Sequence, residues 1–177
     1  YETGAFSSLT ETLFMERCIN LLKPGGRLGI VLPEGVLNNA QAMQKVRDYF
    51  ESRTKILLIV SIPQDVFIAS GATVKPSLVF LKRFTEQEEA EYQKIVKEVS
   101  EAKEKEFKPK YDAIDKKVKD KNKEIKTESD KEKVKILNEE FKELKIKTKS
   151  ELKKLDEEKA ASIKAEIKQR FDYQVPI

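Results

Sequence analysis

The sequence predicts an α/β unit with three strands, followed by a long antiparallel α-helical coiled-coil hairpin. Three observations lead there. Nearly all glycines and prolines fall before residue 85, separated by apolar runs of four to six residues. Helix-like and strand-like patterns alternate through that first half, the rhythm of a doubly wound sheet. Beyond it lysine and glutamate dominate, and apolar residues recur at spacings of three and four, the stripe of paired helices.

In chain order, Thr10–Leu22 puts Leu13, Phe14, Cys18, Ile19, Leu21 and Leu22 on one helical face, with Thr10 as N-cap. Lys23-Pro24-Gly25-Gly26 ends that helix, because glycine permits a left-handed turn and proline cannot continue a helix. Arg27–Leu32 is an almost wholly apolar strand, the pattern of a strand buried on both faces. Pro33-Glu34-Gly35 closes it. Asn38 or Asn39 caps a second helix that reaches Phe50 and turns Met43, Val46, Tyr49 and Phe50 inward. Lys55–Ile62 is a second buried strand, Pro63–Lys75 a loop, and Ser77–Phe84 a third strand. The loop is too short for a crossover helix, so the last two strands are expected to be antiparallel neighbours or near-neighbours. Three strands with apolar faces are few for a complete domain. The chain also starts at Tyr1 within a polar segment, so it reads as an excerpt with more strands upstream.

The charged half divides into an outgoing arm, Glu86–Glu106 and Lys110–Thr127, and a return arm, Asp130–Arg170. The first carries Tyr92, Ile95, Val96, Val99, Phe107, Tyr111, Ile114, Val118 and Ile125; the second carries Val134, Leu137, Phe141, Leu144, Leu152, Leu155, Ile163 and Ile167. Glu128-Ser129-Asp130 supplies the break and the cap. Arms of roughly 40 residues span about 60 Å each. Pro109 is expected to kink or interrupt the outgoing arm. Lys103, Asn122, Lys145 and Lys159 fall near seam positions and thin the stripe. On these boundaries residues 1–85 form the α/β part, 86–170 the hairpin, and 171–177 begin a following segment.

Composition excludes several chemistries. There is no histidine and only one cysteine, Cys18, so Cys/His metal sites, internal disulfides and histidine-based catalysis are ruled out by arithmetic. Cys18 is read as packing. The longest apolar runs are too short to cross a membrane and no signal peptide is visible, which makes the cytoplasm the default. A net charge of +4 with 37% charged residues is too balanced for a protein that coats nucleic acid nonspecifically.

The segments ETLFMERCINLLKPGGRLGIVLPEGVLNN (Glu11–Asn39) and KILLIVSIPQDVFIASGATVKPSLVFLKRF (Lys55–Phe84) carry a resemblance. A strand ending in Leu-Pro-x-Gly-Val-Leu, with a later strand running into Pro-Gln-x-x-Phe-x-x-Ser-Gly-Ala, resembles the C-terminal part of the methylase domain in DNA adenine N6-methyltransferases. The similarity is to the modification subunits of type I restriction–modification systems. LKPGGRL alone is common to class I methyltransferases of every substrate type. The resemblance covers about 75 residues, Thr10 to Phe84, and leaves out the hairpin.

It implies a Rossmann-like, mostly parallel sheet with one antiparallel strand slotted in near the end, of which these are the last three strands. It also implies S-adenosylmethionine as methyl donor in the full-length enzyme, DNA as substrate, and specificity and restriction subunits as partners. The family's glycine-rich cofactor loop and its Asn/Asp-Pro-Pro-Phe/Tyr tetrad do not occur in this sequence. The fragment alone is therefore expected to bind no cofactor, to have no catalytic residue of its own, and to be inactive. Its open strand edge is a candidate surface for dimerisation.

Open α/β sheets bind ligands at the carboxyl ends of their strands. Pro33, Glu34, Gly35, Pro63, Gln64 and Gly71 are the candidate site walls, with a plain turn as the bland reading for each. By the resemblance, Phe67 stacks on the flipped adenine; the alternative is that it anchors its loop. Lys75 is the candidate for a DNA phosphate, or a merely solvated lysine. The lysine-rich tip, Lys116–Lys135, has interleaved acids and reads first as a solvated surface or a protein-recognition element, with direct DNA contact as the alternative. Two other function classes stay open: a helical interaction module on an α/β pedestal, and a methyltransferase acting on RNA or protein.

Overall fold

Apolar β-rich runs bounded by proline and glycine give three strands: β1 (Arg27–Pro33), β2 (Thr54–Ser61) and β3 (Pro76–Arg83). The computed structural model describes residues 2–5, 9–38, 43–71 and 73–173. Strand order is β1-β3-β2, with β3 antiparallel to both neighbours. The expected antiparallel β2–β3 pairing is present, and β3 is the strand slotted between two that share a direction. Residues run Arg27↔Lys82 to Pro33↔Pro76 on one side of β3 and Thr54↔Arg83 to Ser61↔Ser77 on the other, with an irregular step between Ile56 and Leu58.

One face of this sheet is covered. Leu32, Val79 and Leu81 are buried there with Met15 and Ile19 of α1 (Thr10–Leu21), Val36 of α2 (Glu34–Asn38), and Val46, Tyr49 and Phe50 of α3 (Gln44–Glu51), beside Met43. On the opposite face Val31, Leu58, Val60 and Phe80 are exposed. The strands are thus not buried on both faces among the described residues, contrary to the reading of their apolar runs. Alternate apolar positions on that second face stay open. Gly29, opposite Phe80, leaves room for the aromatic ring: a Cβ there would meet it at 3.0 Å.

The helices depart from the sequence reading in instructive ways. Thr10 is not the cap of α1; Leu9 holds that position, and Thr12 Oγ1 donates to its carbonyl at 2.7 Å. The buried face of α1 is Thr12, Met15, Glu16 and Ile19, whereas Phe14 is 63% and Leu21 70% exposed and Cys18 is only half-buried. A carboxylate can turn inward because donors meet it. Glu16 accepts from the Glu2 amide at 2.8 Å, the Thr3 amide at 2.9 Å and the Thr3 hydroxyl. Burial alone would push its pKa up, but these bonds outweigh it and hold the group below its ordinary value. This pins the 3-10 turn Thr3–Ala5 to α1.

The second helix divides. Asn38 ends the short α2 and does not cap a helix running to Phe50; Asn39 lies outside the described residues. The four residues read as inward-facing, Met43, Val46, Tyr49 and Phe50, are all buried.

Two compact units are present, residues 1–93 with 173–177, and Lys94–Asp172. In the first, the start of α4 (Glu86–Thr127) is fixed by a reciprocal capping arrangement. Thr85 Oγ1 accepts from the Glu88 amide at 3.2 Å, and Glu88 Oε2 accepts from the Thr85 amide at 2.8 Å. Glu88 also pairs with Lys55 at 2.9 Å and Lys82 at 3.3 Å, side chains that share one face of neighbouring strands. Tyr173 returns to the same place. Its hydroxyl accepts from the Ile56 amide on the outer edge of β2 at 3.1 Å, and Lys55 lies 5.6 Å from its ring centroid.

The second unit is an antiparallel helical pair. The rest of α4 and α5 (Lys131–Arg170) are joined by Lys103–Glu166, Lys110–Glu158, Lys121–Glu140, Lys159–Glu104 and Arg170–Glu98, and by Tyr111 donating to Asp156. Partner numbers rise on one helix as they fall on the other. Between the helices Val99, Phe107, Thr148 and Leu155 are buried, and Thr148 bonds back to the Leu144 carbonyl at 2.8 Å. Asp130 caps α5, accepting from the Glu132 amide at 3.0 Å. Pro109 does not interrupt α4, which is continuous from Glu86 to Thr127. Its ring removes one backbone donor near the middle of a 42-residue helix whose buried Phe107 holds the adjoining turn in place. Lys103 and Lys159 are 17% and 20% exposed and so enter the seam region, but Asn122 and Lys145 do not; Lys121, at 22%, takes the place expected of Asn122.

The Glu88 clamp makes a pH-dependent contribution. Its acceptance of the Thr85 amide, more than its two ammonium partners, lowers its pKa from 4.5 to about 2 against the opposing effect of burial. A lowered folded-state pKa stabilises above the ordinary carboxylate value, and this is lost as pH falls from about 4.5 to about 2. Glu88→Gln is expected to cost about 1–3 kcal/mol at pH 7. In urea unfolding the gap to wild type should close toward pH 2; a gap that stays constant with pH would contradict the clamp.

Candidate functional site

Because β3 runs opposite to its neighbours, the carboxyl ends of β1 and β2 and the entry to β3 meet at one end of the sheet. Pro33 faces Pro76, Ser61 faces Ser77, and the Ile62 amide donates to the Pro76 carbonyl at 3.1 Å. The sequence-derived wall residues Pro33, Glu34, Gly35, Pro63 and Gln64 therefore share this end with Lys75. Pro33 closes β1, and Glu34 and Gly35 open α2.

Lys75 is joined to the opposite wall. Its Nζ pairs with Glu34 Oε1 at 3.1 Å, and the Glu34 amide donates to the Lys75 carbonyl at 2.9 Å. Both side chains are partly exposed, so the ion pair is a weak tie, on the order of 0–1 kcal/mol, while the backbone bond fixes the spacing. Lys75 is thus neither a simply solvated lysine nor a bare charge.

The segment read as a plain loop, Pro63–Lys75, contains a 3-10 helix, Gln64–Ser70, with Pro63 at its N-cap. Gln64 Nε2 donates to the Thr73 carbonyl at 2.7 Å and closes the segment on itself. Gly71 ends the turn with φ 78°, its amide donating to the Ile68 carbonyl at 2.9 Å. A side chain is strained in that left-handed geometry, which is why glycine stands there. Phe67 sits within the 3-10 helix, half-buried, between exposed Val66 and Ile68, and Val74 is exposed further along. This apolar rim was not singled out from the sequence, although the consecutive apolar run Val66-Phe67-Ile68 in a connecting segment is its signal.

The chemistry available at this end is a partly exposed aromatic face, an apolar rim and one paired lysine. Among the described residues no group of three or more His, Cys, Asp or Glu side chains could hold a metal ion. Glu34 is engaged by Lys75 and Gln64 by Thr73.

In open α/β sheets ligands bind at the carboxyl ends of the strands, and that is the end assembled by β1, β2 and the segment leading into β3. The sequence profile described as N-6 DNA Methylase matches residues 5–172, and the chain belongs to that family. The match continues well past Phe84, where the motif resemblance stops. A comparison with curated proteins gives no match. Family membership makes the chain a DNA methyltransferase sequence, from a family that generally uses S-adenosylmethionine. No helix among the described residues is long and apolar enough to cross a membrane.

Two glycines at this end should respond oppositely to alanine. Gly71→Ala is expected to destabilise by about 1 kcal/mol, the cost of a Cβ at positive φ. Gly35→Ala, in a helix with open space around the position, should be neutral or stabilise by up to about 1 kcal/mol. Equal effects in chemical denaturation would contradict the turn assigned to Gly71.

Proposed function

We propose that this chain is the C-terminal part of the catalytic domain of a DNA adenine-N6 methyltransferase, the modification subunit of a type I restriction–modification system. The observation that carries the reading is the antiparallel β3, with the Phe67 segment leading into it at the carboxyl ends of β1 and β2, taken with the family match. Residues outside this chain would supply the cofactor loop and the Asn/Asp-Pro-Pro-Phe/Tyr tetrad. S-adenosylmethionine would supply the methyl group there; a specificity subunit would choose the DNA site and a restriction subunit would complete the system. The cytoplasm would be the site of action.

Phe67 would receive the target adenine. A flipped base loses its stacking neighbours, and an aromatic face on a turn braced by Gly71 partly restores that contact. The paired Lys75 and Glu34 would set the width of the wall, with Lys75 available to a phosphate when DNA competes for it. The helical pair, read as a coiled coil, would serve subunit docking. The outer edge of β1, unpaired among the described residues, would accept a further strand or a second copy.

In the full-length enzyme, Phe67→Ala should slow methylation by about 5- to 150-fold, the equivalent of roughly 1–3 kcal/mol of stacking, without loss of fold. Wild-type turnover on duplex DNA would remove Phe67 from the site. For this chain alone, titration calorimetry with S-adenosylmethionine should give no heat of binding, and micromolar affinity would mean the cofactor site is misplaced. Deleting Lys110–Thr148 from the full-length enzyme should impair subunit assembly or DNA engagement more than cofactor binding. Normal assembly and methylation would make the arm dispensable.

A further inference from the structure

The second unit carries a charge pattern that its own folding does not explain. On α5 the lysines 135, 142, 145, 149 and 153 are all exposed. At 100° per residue they fall within about 55° of a common axis, on a face about a quarter-turn from the seam of Leu137, Phe141, Leu144 and Leu152. The stripe runs 18 residues, about 27 Å. From Lys135 to Lys153 the acidic residues of α5 all lie more than about 60° from that axis. The uncharged Ile146, 74% exposed, lies within the stripe.

Some lysines elsewhere on the pair bridge the two helices through carboxylates, as Lys121 does with Glu140 and Lys110 with Glu158. Among the described residues, none of the stripe lysines does. Lys135, Lys142 and Lys149 form no ion pair among the described residues. Lys145 sits 4.5 Å from the Phe141 ring centroid, and Lys153 meets Glu157 only at 4.0 Å. Like charges aligned at helical spacings of three and four repel, so the stripe costs helix stability unless an anion covers it. A row of point charges without a single arginine suits phosphates and lacks the planar fork that reads base edges.

We propose that this lysine face of α5 contacts the phosphate backbone of duplex DNA, independently of base sequence. The choice of DNA over another polyanion rests on the methyltransferase reading above; the stripe itself does not. It moves the nucleic-acid contact away from the mixed-charge tip and onto one side of the return helix.

The test uses the 177-residue chain and fluorescently labelled duplexes of two unrelated sequences, titrated over a range of salt. Wild type should bind both equally, with affinity falling steeply as salt rises. Replacing Lys142, Lys145, Lys149 and Lys153 with Gln should weaken binding about 10-fold or more and reduce the log–log salt slope by about 3–4, near 0.9 per phosphate contact. Replacing Lys94, Lys97, Lys105 and Lys108 with Gln removes the same charge and should change binding little. Circular dichroism checks that the stripe variant stays helical, and the single substitution Lys149→Glu provides a milder second variant, expected to weaken binding several-fold. Absence of wild-type binding at about 50 mM salt, equal losses from the two lysine sets, or an unaffected Lys149→Glu variant would overturn the proposal. The assay has no methylation step, so those results would leave the methyltransferase reading standing, whereas loss of activity in the Phe67 experiment says nothing about the stripe.

Discussion

The antiparallel placement of β3 between β1 and β2 decides where the useful parts of the first unit can meet. Two strands running the same way put their carboxyl ends together, and a third running back must start where they finish. The ladder from Pro33↔Pro76 through Ser61↔Ser77 enforces that geometry with backbone bonds. The 3-10 segment bearing Phe67 is then confined to the same end, because its two ends are fixed by β2 and β3. Shifting β3 by one residue would exchange buried Val79 and Leu81 with exposed Phe80 and move Lys75 away from Glu34. The register is therefore held by the covered face, and the site inherits it.

The two units are stabilised by different physics. In the first, apolar burial on one sheet face is supplemented by carboxylates that satisfy backbone amides: Glu16 at the start of the chain and Glu88 at the start of α4. In the second, the seam is narrow and ion pairs bridge many of its exposed margins. Such exposed pairs are individually weak and sensitive to salt. Specificity of register, more than strength, is what the alternating charges supply there. On the lysine face of α5, between Lys135 and Lys153, that alternation lapses.

Much of the architecture was legible in the residues. Apolar runs between proline and glycine marked β1, β2 and β3 to within two residues at each end, and Glu128-Ser129-Asp130 marked the turn between the long helices. What could not be read was which faces are covered, since an unbroken apolar run has no alternation to reveal its inner side. The buried face of α1 was hidden because it includes Glu16, whose donors Glu2 and Thr3 are far away in sequence. Thr85-x-x-Glu88 is a capping box that spacing does reveal, whereas the reach of Tyr173 to Ile56 depends on tertiary structure alone. At the candidate site, Phe67 was suggested by motif, but the Lys75–Glu34 pair, 41 residues apart, was not.

On the proposed reading, the Phe67 segment faces the DNA base on which the full-length enzyme acts. Placing a photoreactive phenylalanine analogue at position 67 of the full-length enzyme, bound to a duplex that it methylates, tests this most directly. Irradiation followed by mapping of the cross-link should join position 67 to the target adenine or its immediate neighbour. Cross-links confined to the protein's own chain, with DNA bound, would show that Phe67 anchors its loop and would contradict the account.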